Sequence, residues 1–142
     1  MARKKLTPIV KKVDILICSL NDAATVFDSR SANAEEVAKS LQQTYHNQMV
    51  VLTMAGKGAV AFDGQNTWYQ DAYQAGNVDR IGRGDAFSAG FLYGYLNDDA
   101  LTGLKYGNAM AALNQTLKGD FFWCGKVEVD QLIAGHSKKL DR

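Results

Sequence analysis

The chain has 142 residues and is 46% apolar, enough for one sizeable hydrophobic core, which excludes a disordered polypeptide and makes a single domain the expectation. Lys and Arg number 16 against 15 Asp and Glu, a net charge of +1, so no global field exists to recruit nucleic acid or an anionic membrane. Apolar runs such as VDILIC are too short to cross a bilayer, Met1-Ala2-Arg3-Lys4-Lys5 lacks the apolar stretch of a signal peptide, and Cys18 and Cys124 sit among apolar neighbours as reduced thiols do; a cytoplasmic, non-membrane protein is expected.

KLTPIVKKV places Leu6, Ile9, Val10 and Val13 at helical spacing, with Thr7-Pro8 reading as N-cap and first helical position. VDILICSL (13–20) is a β-rich apolar run, expected as a parallel strand buried on both faces by helices. A short helical stretch follows from Asn21 to Asp28, and Asn33-Ala34-Glu35-Glu36 resembles a capping box opening a helix to about Tyr45. QMVVLTM (48–54) predicts a second buried strand; GAVAF and NTWYQ predict two more, joined through Asp63-Gly64 by a hairpin loop of two residues or longer. From Asp85 onward the pattern is helical over 85–96, about 99–117 and 126–134, with breaks at Asn97-Asp98 and Lys118-Gly119-Asp120. The order β-α-α-β-β-β-α-α-α describes an α/β layered domain, and the shortage of strand partners points to part of one.

The chemistry concentrates in Asp79-Arg80-Ile81-Gly82-Arg83-Gly84-Asp85, which leads into a helix beginning Ala86-Phe87-Ser88. Unpaired N–H groups and the positive dipole end make a helix start an anion site, and glycine at 82 and 84 lets an oxyanion approach the backbone. Asp85 at its rim could take a proton from an incoming hydroxyl while the amides stabilise a transferred phosphoryl group. The competing reading is that Asp85 caps the helix and the glycines turn the chain, and the short motif taken alone favours it.

Other patterns carry less. Gly56-Lys57-Gly58 lacks the flanking residues of a P-loop, no Gly-x-Gly-x-x-Gly follows a strand, and His46 and His136 stand alone without metal-ligand spacing. Asn108 is a polar amide on an otherwise apolar helical stripe with Leu101, Leu104, Ala111 and Ala112; it is either satisfied by a neighbouring loop or reads an adenine edge. Gly90-x-x-x-Gly94 would allow close helix packing and has no functional weight.

Together these stretches resemble the C-terminal half of a PfkB/ribokinase-family carbohydrate kinase. The family signature Asp-Thr-x-Gly-Ala-Gly-Asp-x-Phe is similar to Asp79-Arg80-Ile81-Gly82-Arg83-Gly84-Asp85-Ala86-Phe87, and the following Phe91-Leu92-Tyr93-Gly94 resembles 2-keto-3-deoxygluconate kinases in particular. So do Gly107-Asn108-Ala109-Met110-Ala111-Ala112-Leu113 and Thr116-Leu117-Lys118-Gly119-Asp120-Phe121, while VDILIC and VVLTMAGKGAVAF look like the family's strands in order. The resemblance implies a ribokinase-like layered α/β fold with a largely parallel sheet flanked by helices. Residues 1–142 would form its nucleotide-binding half, without the N-terminal sugar-binding and lid half. It implies ATP-dependent phosphorylation of a sugar acid hydroxyl with Asp85 as base, Gly82, Arg83 and Gly84 amides as anion hole, nucleotide contacts from Thr53, Ala55, Gly56, Gly58 and Asn108, and Asp120 as a weaker substrate-lining candidate.

Three departures accompany the resemblance. The Asn-x-x-Glu motif linked to Mg²⁺ would align with Asn21-Asp22-Ala23-Ala24, which lacks the glutamate and leaves Asp22 or Asp79 as the carboxylates open to that role. Ala55 replaces the first glycine of the nucleotide turn, and Arg83 replaces alanine in the anion hole, where its side chain would either pair with phosphate or obstruct it. The alternative functions are a nucleotide-binding remnant without turnover and a half-domain that self-associates as a homo-oligomer to bury its sheet edge.

Overall fold

The computed structural model describes residues 2–29, 31–76, 78–119 and 121–135, and the chain divides into two compact units, Met1–Tyr69 and Gln70–Arg142. Asp120 and His136 lie outside the described residues.

The first unit runs α1 (Ala2–Val10), β1 (Ile15–Ser19), α2 (Leu20–Phe27), α3 (Ala34–Tyr45), β2 (Met49–Thr53), β3 (Ala59–Phe62) and β4 (Thr67–Gln70), whose last residue belongs to the second unit, with a 3₁₀ turn at Ala55–Lys57. The strands form one sheet in the order β1-β2-β3-β4. β1 and β2 pair in parallel, from Ile15 opposite Met49 to Ser19 opposite Thr53, and the α2–α3 crossover joins them. β2 and β3 pair antiparallel, because the tight turn between them cannot carry the chain back for a parallel strand. The largely parallel sheet inferred from the resemblance is therefore mixed in these strands, within the expected layered α/β class. The β3–β4 loop spans Asp63 to Asn66: Asp63 Oδ1 accepts the Gln65 and Asn66 N–H groups at 2.8 and 2.7 Å, a loop longer than two residues.

Burial sorts the strands. β2 is buried from Met49 to Leu52 and β3 throughout, as their uninterrupted apolar runs predict. β1 falls short of its expected burial on both faces; only Leu16 is buried, because β1 is the edge of the sheet among the described residues. The core joins Val37, Ala38 and Leu41 of α3 to Val50, Leu52, Val60 and Phe62, with Phe27 tilted against Tyr45 at 5.3 Å between ring centroids. Asn33 caps α3 as expected, accepting from Glu35 and Glu36 N–H; the Glu36 carboxylate takes the Ser31 hydroxyl instead of closing the box. The reciprocal box occurs at α2, between Ser19 and Asp22. α1 differs from expectation: it starts at Ala2, so Thr7-Pro8 lies inside the helix, since Arg3 to Leu6 are good helix formers that extend it upstream. Of its apolar stripe only Val10 is buried.

The second unit holds α4 (Arg83–Asn97), α5 (Ala100–Asn114) and α6 (Lys126–Ile133). α4 and α5 are antiparallel and in backbone contact. A Cβ added at Gly94 would lie 2.6 Å from the Thr102 carbonyl oxygen, and one at Gly90 would lie 2.6 Å from that of Tyr106. Across the seam Gly103 meets Phe91 and Gly107 meets Phe87. α6 closes over α5 through Val129 and Leu132, packed with Ala109, Ala112 and Leu113. Gly90→Ala should therefore force the helices apart and lower unfolding free energy by about 1–3 kcal/mol despite alanine's better helix propensity; urea denaturation measures it, and a variant as stable as the wild type would contradict this packing.

Candidate active site

The candidate residues are distributed over both units. Gly82, Arg83, Gly84 and Asp85 come together at the start of α4, and Asn108 lies on α5 in the same unit; Thr53, Ala55, Gly56 and Gly58 belong to the β2–β3 turn of the first unit.

The start of α4 settles whether Asp85 is a cap. The helix begins at Arg83, earlier than expected, and its N-cap is Gly82 in the left-handed region (φ 76°), a conformation open to glycine at little cost. No side chain caps it. Asp85 thus falls in the first turn, where it is exposed and, among the described residues, accepts no hydrogen bond and forms no ion pair. Around it the N–H groups of Gly82, Gly84 and Asp85 find no acceptor among the described residues, and Arg83 N–H reaches only Arg80 O at 3.4 Å. A bare carboxylate beside a row of free donors at a positive dipole end can hold an anion and take a proton within one site.

The segment before this turn is clamped. Val78 and Asp79 N–H groups both donate to the Gln115 carbonyl, at 2.7 and 3.2 Å. The Asp79 carboxylate accepts Arg80 and Ile81 N–H through Oδ1, at 2.6 and 3.1 Å, and Gly119 N–H through Oδ2 at 3.2 Å. These bonds, that from Ile81 foremost and then that from Gly119, hold its carboxyl below the usual range. In the sequence Asp79 is only a motif letter and an open metal carboxylate; its bonds make it a staple between the two ends of the unit's loop system. Gln115 was missed altogether, and no local pattern signals it, because its main role is played by a backbone carbonyl.

Asn108 is buried, and its Nδ2 donates to Gln70 O at 3.2 Å; its amide thus has a structural partner, which is the last residue of β4 and not the loop expected. Asn114, at the end of α5, is 1% exposed, and neither its Oδ1 nor its Nδ2 has a partner among the described residues.

In the first unit the β2–β3 turn is closed by Met54 N–H to Gly58 O at 2.8 Å and braced by the Tyr69 hydroxyl on Lys57 O at 2.7 Å. Ala55, standing where the resemblance expects glycine, is held at φ 52°. Gly56 is open: a Cβ added there would meet no atom within 4 Å. Asp22 is occupied in the α2 capping box, and it adds to the burial that pushes the nearby Cys18 thiol up to about 12, which keeps that thiol protonated and unreactive. Among the described residues no three His, Cys, Asp or Glu side chains gather as a metal cage, and His46 is an exposed helix C-cap. No helix of the described residues is long and apolar enough to cross a membrane.

Comparison with known proteins gives a consistent match. The pfkB family carbohydrate kinase model matches residues 1–122. A 2-dehydro-3-deoxygalactonokinase of Haloferax volcanii is 32% identical over 142 residues, covering 99% of this chain and 44% of its own length. A 2-dehydro-3-deoxygluconokinase structure from Thermotoga maritima superposes with a TM-score of 0.84 at 24% identity, covering 94% of this chain and 45% of that one. A ribokinase II of E. coli in complex with ATP and Mg²⁺ gives 0.81 at 23% identity, covering 94% and 43%. The chain thus spans less than half the length of these relatives.

Ala55→Gly should relieve the left-handed strain and stabilise the fold by up to about 1 kcal/mol in chemical denaturation. Because the folded Asp79 carboxyl lies below its ordinary value of 3.8, its contribution is present above that value and lost as pH falls through the folded pKa. Asp79→Asn should lower the melting temperature at neutral pH and shrink its further drop in acid; an unchanged acid limb would remove Asp79 as the staple.

Proposed function

Because this chain belongs to the PfkB family of carbohydrate kinases, we propose that it forms the nucleotide-binding and catalytic portion of an ATP-dependent sugar kinase acting on a 2-keto-3-deoxy sugar acid. The observation that carries the reading is the uncapped Asp85 carboxylate set among free N–H groups at the start of α4. The name of the Haloferax relative supports the substrate class.

Asp85 takes the proton of the acceptor hydroxyl as that oxygen attacks the γ-phosphorus of ATP; the bond from phosphorus to the β,γ-bridging oxygen breaks, and ADP leaves with that electron pair. The amides of Gly82, Arg83 and Gly84 meet negative charge developing on the phosphoryl oxygens, aided by the α4 dipole. Within the second unit, Asn108 is the residue placed to contact the nucleotide. Asp22 and Asp79 are engaged in hydrogen bonds, so a divalent cation would have to be held mainly by the nucleotide. Mg²⁺ bound in that way would neutralise phosphate charge.

A second reading is a nucleotide-binding module without turnover. Self-association is favoured by the partly exposed β1 edge and by exposed Ile9 on α1. Supplying the remaining portion of the Haloferax relative in trans or as a fusion separates these readings. Sugar-acid-dependent ADP formation is expected, and Asp85→Asn should cut kcat by about 10²–10⁴-fold with ATP affinity retained. Equal turnover in the variant would eliminate Asp85 as base, and nucleotide binding without turnover in any pairing would favour the second reading.

A further inference from the structure

Arg83 is the first residue of α4, where the helix dipole disfavours a cation and favours Asp or Glu. The residue is half-buried, and its side-chain hydrogen bond among the described residues runs from Nη1 to Gln115 Oε1 at 3.3 Å, a neutral acceptor. Five N–H donors with one engaged by an amide, and no carboxylate pairing with it among the described residues, leave this charge undercompensated where the backbone already repels it. The backbone carbonyl of Gln115 holds Val78 and Asp79, so Arg83 is bonded to a residue whose main chain is tied to the segment leading into the α4 turn. The free amides of Gly82, Gly84 and Asp85 lie along the same turn.

We propose that the Arg83 guanidinium, parked on Gln115, is a phosphate ligand of this site: it turns its free donors onto the terminal phosphate of the bound nucleotide and supplies the charge that the backbone amides lack. The proposal rests on the reading of the α4 start as a phosphate site and names the side chain that completes it. A tetrahedral, multiply charged phosphate suits a guanidinium fork in addition to linear amide donors. The same anion removes the conflict between the cation and the dipole.

The test uses the full chain, with inorganic tripolyphosphate and ADP as probes in titration calorimetry and with melting of the ligand-free protein. Arg83→Gln can keep a bond to Gln115 while removing the charge. It should bind tripolyphosphate about tenfold more weakly than wild type, with an unchanged or higher ligand-free melting temperature, and Arg83→Lys should fall between the two. Unchanged affinity with a lowered melting temperature would make Arg83 a structural strut and overturn the proposal. Arg83-dependent binding of tripolyphosphate without binding of ADP would keep Arg83 as a phosphate ligand but overturn its assignment to a nucleotide, together with the nucleotide reading of the site. Binding of neither probe by the wild type would overturn both, whereas binding of both probes with a tripolyphosphate affinity indifferent to Arg83→Gln would remove the proposal alone.

Discussion

Backbone contact between α4 and α5 is the constraint on which the second unit depends. With Gly94 against the carbonyl of Thr102 and Gly90 against that of Tyr106, the helices cannot slide or rotate without a clash, so their register is set by main-chain atoms rather than by adjustable side chains. That register brings the end of α5 beside the start of α4. Gln115 then receives Val78 and Asp79, Gly119 closes on the Asp79 carboxylate, and the turn at Gly82 is delivered with its donors unspent. The candidate site is thus the open end of a helical hairpin whose geometry is decided several turns away.

Much of this was legible in the sequence for physical reasons. β2 and β3 read clearly because they are buried along uninterrupted apolar runs, and α3 because Asn33 marks its start and a regular apolar stripe its length. The layered α/β class followed from element order, and the match over residues 1–122 places the chain in the family its motifs resemble. α1 was misread because Pro8 is a strong punctuation mark, whereas the basic residues upstream have enough helix propensity to precede it. The edge position of β1 could not be read, because edge and centre differ in what lies alongside and not in the strand's own letters.

At the site, sequence left Asp85 suspended between cap and base. Moving the helix start from Asp85 to Arg83 decides only that it is not the cap, and the freedom of its carboxylate then carries the functional reading. Asn108 shows the opposite limit: a polar residue on an apolar stripe was recognised, and the carbonyl of Gln70 gives its amide a structural partner. Residues acting through backbone atoms, Gln115 above all, leave no trace in composition or spacing.

The first turn of α4 also bears on how this domain balances stability against use. Asp85 obeys the dipole and Arg83 violates it, so two charges within one turn pull in opposite directions. Such local frustration in an otherwise self-consistent fold marks where selection acted on something other than folding. A redesign aimed only at making this chain more robust would remove the arginine first, and in doing so would smooth away the irregularity by which the site can be recognised.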